Sequence, residues 1–152
     1  MTEYKPTFIT GKSFVDDRGT ITAVNDFKFE NVKRFYTVQN FSPGFIRAFH
    51  GHKTGETFVH VITGAIQLIT TKMIKDNNKF ILDSNYVKVS LADIVPGVYY
   101  IPAMYANGFV TLSNDTKIMF FSTTDISNYA EDDVRFPWDY LGVDIWNLKN
   151  YR

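Results

Sequence analysis

"FVHVITGAIQLITT", Phe58–Thr71, is the stretch on which the fold turns. It is rich in β-branched and aromatic residues that alternate with polar ones, and it reads as a strand. Similar runs lie on both sides of it. They are "TITAVN" (Thr20–Asn25), "VKRFYTVQN" (Val32–Asn40), "KFILDS" (Lys79–Ser84), "YVKVSL" (Tyr86–Leu91), "VYYIP" (Val98–Pro102), "GFVTLS" (Gly108–Ser113) and "KIMFFSTT" (Lys117–Thr124). Turn signals such as "DDRG", "SPG", "KDNN", "VPG" and "SNDT" fall between them. Few windows of the chain sustain a helical period over ten residues. Short strands at this regular spacing predict an all-β sandwich or barrel, in which closure leaves few open edges. The tail from Tyr129 to Arg152 is aromatic but irregular, and is expected to pack over the barrel or against a partner subunit.

The 152 residues suffice to bury a substantial core. No repeat, low-complexity tract or linker divides them, so 1–152 is expected to be a single domain. Sixteen basic and sixteen acidic residues cancel, and nothing in that balance points to nucleic acid or an anionic membrane. The absence of cysteine excludes a disulfide framework and a zinc ribbon, and fits a reducing compartment. The opening "MTEYKPTFITGKSF" lacks the basic start and apolar run of a signal peptide, and no apolar run approaches the ~18 residues of a membrane span. A soluble, cytoplasmic protein is the expectation.

The chemistry concentrates in "FIRAFHGH", Phe45–His52. On a regular strand His50, His52 and Ala48 share one face, while Arg47 and Phe49 take the other. Two imidazoles on an inward face would line the lumen as a base with a helper, as metal ligands, or as hydrogen-bonded structural groups. His60, alone in "FVHVI", is read as structural.

Taken in order, "DDRG" (Asp16–Gly19), "NFSPGFIRAFH" (Asn40–His50), "IPAMYANGF" (Ile101–Phe109), "STTD" (Ser122–Asp125) and "WDYLGVDIW" (Trp138–Trp146) resemble the dTDP-4-dehydrorhamnose 3,5-epimerase family and its smaller relatives, the dTDP-sugar 3,4-ketoisomerases. The resemblance implies a cupin-type jelly roll with a short irregular C-terminal segment, a homodimer and no cofactor; Asn107, standing where the last cupin ligand should be, predicts activity without a metal. It also implies a dTDP-linked 4-keto-6-deoxyhexose as substrate. His50 occupies the position of the family's base, and an imidazole near neutral pH suits removal of the acidic proton beside a ketone. Arg47 and Arg18 match arginines that engage the nucleotide or its diphosphate, for which a guanidinium fork is well shaped.

Several positions depart from that pattern. The family's lysine falls at Thr57, its tyrosine acid at Phe121, and the histidine of its A-H-G-F motif at Asn107, which can hydrogen-bond but not shuttle a proton at neutral pH. The segment that brings an aspartate to the catalytic histidine reads as truncated. The ketoisomerases carry a second histidine, matched here by His52, whereas "WDYLGVDIW" resembles the epimerases. Epimerisation and 3,4-ketoisomerisation both remain open on these residues.

Gly44, His50, His52, Glu56 and Gly64 also follow the general cupin metal pattern, so a metal-dependent enzyme using His50, His52 and Glu56 is one alternative; a non-catalytic sugar-nucleotide-binding cupin is another. Tyr100 is a candidate acid, with Tyr99 on the opposite face and Tyr105 read as core. Gln39 and Asn107 are candidate substrate contacts. Glu56 is a candidate to orient His50 or His52 in place of the missing aspartate.

Overall fold

The computed structural model describes residues 4–148. Its strands are β1 (Thr7–Thr10), β2 (Lys12–Asp16), β3 (Gly19–Ala23), β4 (Arg34–Gln39), β5 (Ile46–His52), β6 (Thr57–Thr63), β7 (Ala65–Asp76), β8 (Lys79–Ala92), β9 (Gly97–Ile101), β10 (Tyr105–Thr111) and β11 (Lys117–Ser122). A 3-10 turn (Ile126–Asn128), a one-turn helix α1 (Tyr129–Asp132), β12 (Asp133–Arg135) and a second 3-10 turn (Val143–Trp146) follow. Among the described residues no helix is long and apolar enough to cross a membrane.

Two antiparallel five-stranded sheets, ordered β1-β9-β6-β11-β4 and β12-β5-β10-β7-β8, face each other, and β2 and β3 form a separate hairpin. Period-two alternation sends Val59, Val61, Ile66, Leu68, Ile118 and Phe120 into the core between the sheets. The all-β expectation holds, with two revisions to the strands. Phe58–Thr71 is two strands in different sheets, because Gly64 between them has φ +85°. A side chain at that turn would also strike the Thr116 hydroxyl, so glycine permits the crossing on both counts. Conversely, Lys79–Ser84 and Tyr86–Leu91 form the single strand β8. The Thr71 hydroxyl donates to the carbonyls of Asp83 (2.8 Å) and Asn85 (2.9 Å) near the point where the β7–β8 register shifts.

The outer face of the second sheet is apolar as well. Phe49, Ile69 and Met73 on that face are covered by Phe136, Ile145 and Trp146 from the C-terminal segment. Trp146 Nε1 donates to the Trp138 carbonyl at 2.8 Å and fixes the loop. The tail therefore packs over the sandwich as far as the description reaches; 149–152 lie outside the described residues.

Candidate active site

A cleft of about 250 Å3 opens between the two sheets. The first sheet supplies Arg34, Tyr36, Thr57 and Phe120; the second supplies Arg47, His50, His52 and Asn107. Tyr129 of α1 closes one side.

The strand bearing the histidines is not regular. In the pairing of β10 with β5, Asn107 faces His50 and Phe109 faces Arg47, so β5 takes three steps where β10 takes two. This extra residue is a bulge, and it rotates Arg47 onto the cleft face beside His50. Ala48 turns away and packs against the outer core with Phe49. The expected alternation, with Ala48 beside the histidines and Arg47 opposite, is thereby reversed. The Arg47 guanidinium is aimed by Asn40, whose Oδ1 accepts from Nε at 2.7 Å. Asn107 also lies in the cleft, its amide donating to the His50 carbonyl at 3.3 Å.

Carboxylates reach both histidines from a segment that the sequence did not single out. β12 pairs antiparallel with β5, placing Asp133 opposite His52 and Arg135 opposite His50. His52 Nδ1 lies 3.0 Å from Asp132 Oδ2, with the imidazole largely buried. His50 Nδ1 lies 3.9 Å from Asp133 Oδ1, a buried oxygen with no hydrogen-bond partner among the described residues. The other Asp133 oxygen accepts from Arg135 Nε at 2.8 Å. The segment read as truncated does reach the cleft, with Asp132 in hydrogen-bond contact with His52 and Asp133 near His50 without a hydrogen bond. Both aspartates come from a short helix-to-strand junction with no legible periodicity.

Electrostatics separates the two imidazoles. Burial drives the Asp132 carboxyl up, but hydrogen bonds from the Thr54 N–H and the Thr124 and Thr54 hydroxyls, with His52 beside it, hold it at about 2. Asp132 is therefore an anion throughout the neutral range. It keeps the proton of His52 on Nδ1 and leaves Nε2 as an acceptor. Burial, then Arg135, outweigh Asp133 and hold His50 below its ordinary value, with His52 and Arg47 adding to the effect. His50 is thus a neutral base at pH 7. With 41% of its side chain exposed, it is also the accessible member of the pair.

Four of the sequence candidates are not brought to the cleft. Glu56 and Tyr100 face a separate crevice under Phe27 and Lys28, on the far side of the first sheet. There burial and the Glu56 carboxylate push the Tyr100 phenol up to about 12. Glu56 can neither orient the histidines nor complete a His50–His52–Glu56 metal set, and no other triad of His, Asp or Glu converges among the described residues. Gln39 lies on β4 one residue out of phase with Arg34, Tyr36 and Val38, and it is exposed. Arg18 sits at the tip of the β2–β3 hairpin, where its guanidinium pairs with Asp16 at 2.6 Å. Tyr99 is in the core between the sheets, with Tyr105 packed against it. His60 lies outside the cleft lining, with its Nδ1 2.8 Å from the Gly97 carbonyl. Phe121 packs outward against Phe27, with ring centroids 5.0 Å apart, and the cleft position on β11 is Phe120.

Sequence reasoning missed Arg34, Tyr36, Tyr129 and Arg135. The Arg34 guanidinium lies 5.0 Å from the Tyr36 ring centroid and 5.2 Å from that of Tyr129. One signal was available: "RFYTV" places an arginine and a tyrosine on the inward, otherwise apolar face of β4.

No curated protein matches the sequence. Among solved structures, dTDP-4-dehydrorhamnose 3,5-epimerase from Bacillus anthracis, with TDP and pyrophosphate bound, is similar at 20% identity and TM-score 0.72, covering 88% of this chain and 79% of its own. ChmJ, a 3'-monoepimerase from Streptomyces bikiniensis in complex with dTDP-quinovose, is similar at 14% identity and TM-score 0.74, covering 91% and 73%. A variant of the 3,4-ketoisomerase QdtA from Thermoanaerobacterium thermosaccharolyticum, in complex with TDP-4-keto-6-deoxyglucose, is similar at 16% identity and TM-score 0.68, covering 92% and 93%. These likenesses show that the two sheets form a cupin jelly roll. The sequence profile described as dTDP-4-dehydrorhamnose 3,5-epimerase matches residues 5–150, and the chain belongs to that family.

Proposed function

We propose that the protein is a cytoplasmic nucleotide-sugar isomerase of one catalytic domain, 1–152, acting on a dTDP-linked 4-keto-6-deoxyhexose. The carrying observation is the histidine pair in one cleft, each imidazole facing an aspartate of the same C-terminal segment. Neutral His50 removes the proton from the carbon beside the ketone, forming an enolate. Arg47 and Arg34 bring positive charge to the diphosphate and to the enolate oxygen, where fixed charge lowers the barrier most. His52 Nε2 is free to accept the proton of a neighbouring sugar hydroxyl.

Neither Phe120 nor Phe121 carries a proton, so a proton returned to carbon must come from a group outside β11. Return of the proton to carbon 3 from the opposite face gives the 3-epimer. Its delivery to carbon 4, with the 3-hydroxyl proton passing to the carbon 4 oxygen, gives the 3-ketoisomer. Incubation with dTDP-4-keto-6-deoxyglucose in D2O, followed by NMR, tests the reading: deuterium should enter at carbon 3 or carbon 4. Tight binding with no deuterium uptake would make the protein a binder and overturn the isomerase reading.

A homodimer is part of this proposal. Phe14, Val15 and Ile21 of the β2–β3 hairpin are 54–78% exposed, and Phe29 and Phe35 near the first sheet are also uncovered. Exposed apolar surface of this extent is what an interface between subunits covers. Light scattering at micromolar concentration should return twice the chain mass, and a monomer would contradict it.

A further inference from the structure

Any isomerisation that removes a carbon-bound proton must also return one, and the cleft is poor in donors. Asp132 holds His52 through its Nδ1, and the Nδ1 of His50 is turned towards Asp133, so neither Nδ1 is placed to return a proton to carbon. The Asn107 amide is taken up by the His50 carbonyl. Two phenols remain. Tyr36 lies flat on Phe120, with centroids 5.2 Å apart and planes within 6°, and burial pushes its hydroxyl up to about 12. That phenol is poorly disposed to give up a proton.

Tyr129 is placed differently. It opens the Tyr129–Arg135 segment that also supplies Asp132, Asp133 and Arg135. Its ring stands edge-on to His52, with centroids 6.0 Å apart. Arg135 Nη2 donates to its hydroxyl oxygen at 3.4 Å, and the Arg34 guanidinium lies over its ring at 5.2 Å. A phenolate left after proton donation would have the Arg135 guanidinium at its oxygen and that of Arg34 over its ring, and positive charge so placed stabilises the anion as it develops.

We infer that Tyr129 is the general acid of this cleft, delivering its phenolic proton to the enolate carbon after His50 has removed the substrate proton. The inference rests on the isomerase reading. In the balanced step, the C–H bond breaks and its proton goes to His50. The Tyr129 O–H bond then breaks, its proton forms the new C–H bond, and histidinium and phenolate re-equilibrate through solvent to restore the starting charges.

Tyr129→Phe tests it, because phenylalanine keeps the ring contacts with His52 and Arg34 and loses only the hydroxyl. In D2O the variant should still exchange the proton beside the ketone, with return from the His50 side and retention of configuration. Formation of the epimer or ketoisomer should fall by roughly 10²-fold or more. Product at the wild-type rate, or exchange and product falling in parallel, would overturn the assignment of Tyr129 alone. Absence of exchange in the wild-type protein would overturn the isomerase reading and this inference with it.

Discussion

In the His50→Asn variant, deuterium uptake beside the keto group should fall by roughly 10²–10⁴-fold, the range for loss of a positioned base. Binding of the dTDP-sugar should survive. Asparagine keeps a polar group of similar reach, and the Asn107 bond is to the residue 50 carbonyl, which the substitution leaves in place. The pH profile gives an independent reading. A base works in its neutral form, and burial with Arg135 holds His50 below its ordinary 6.5. In wild type, the acid limb of kcat/KM should therefore lie below about 6.5, where His50 protonates. Exchange in His50→Asn at the wild-type rate, or an acid limb centred above 7, would show that His50 is not the base.

The legible parts of this molecule are those in which one residue reports one orientation. Period-two alternation located most strands and the core between the sheets, since side chains on a pleated strand must point alternately in and out. It failed wherever the backbone departs from the pleat. The bulge before His50 moves Arg47 across the strand, and no composition signal marks it, because Ala48 and Phe49 are acceptable on either face. The positive φ at Gly64 divides a run whose side chains look uniformly β-forming.

The paired histidines of β5 were legible, whereas the groups on β4 and in the β12 segment were not, because their role depends on tertiary pairing. His50 and His52 stand out in sequence because strand spacing places them near each other. Asp132 and Asp133 come from about 80 residues away and adopt their role only because β12 adds to the edge of β5. Tyr100 and Glu56 illustrate the reverse failure. Both are chemically suitable, yet both face the far side of the first sheet, where they bind each other. Suitability of residue type is weak information until the face is known.

Asp132→Asn should separate orientation from mere presence of His52. Asp132 Oδ1 accepts from the Thr54 N–H (2.7 Å), the Thr54 hydroxyl (2.9 Å) and the Gly55 N–H (3.3 Å), while Oδ2 accepts from the Thr124 hydroxyl at 2.7 Å and faces His52 Nδ1 at 3.0 Å. An asparagine that keeps its oxygen towards Thr54 turns its NH2 towards His52. That NH2 is a donor, so Nδ1 must become an acceptor and the imidazole proton moves to Nε2. The result is an imidazole in place but in the wrong tautomer, for which a loss of product formation of roughly 10²-fold or more is expected. Removing the buried charge should also lower stability by about 1–3 kcal/mol. The sign of the pH effect follows from the depressed carboxyl. Held at about 2 in the folded chain against an ordinary 3.8, Asp132 contributes stability that is fully present above about pH 4 and is lost as pH falls towards 2. Wild type should therefore exceed Asp132→Asn in unfolding free energy at pH 7 and lose that advantage between about pH 4 and 2. Nitrogen-15 shifts of the His52 ring should report the tautomer directly in the folded variant. Unchanged turnover with a moved proton would remove His52 from the chemistry, and an unmoved proton would remove Asp132 as the group that orients it.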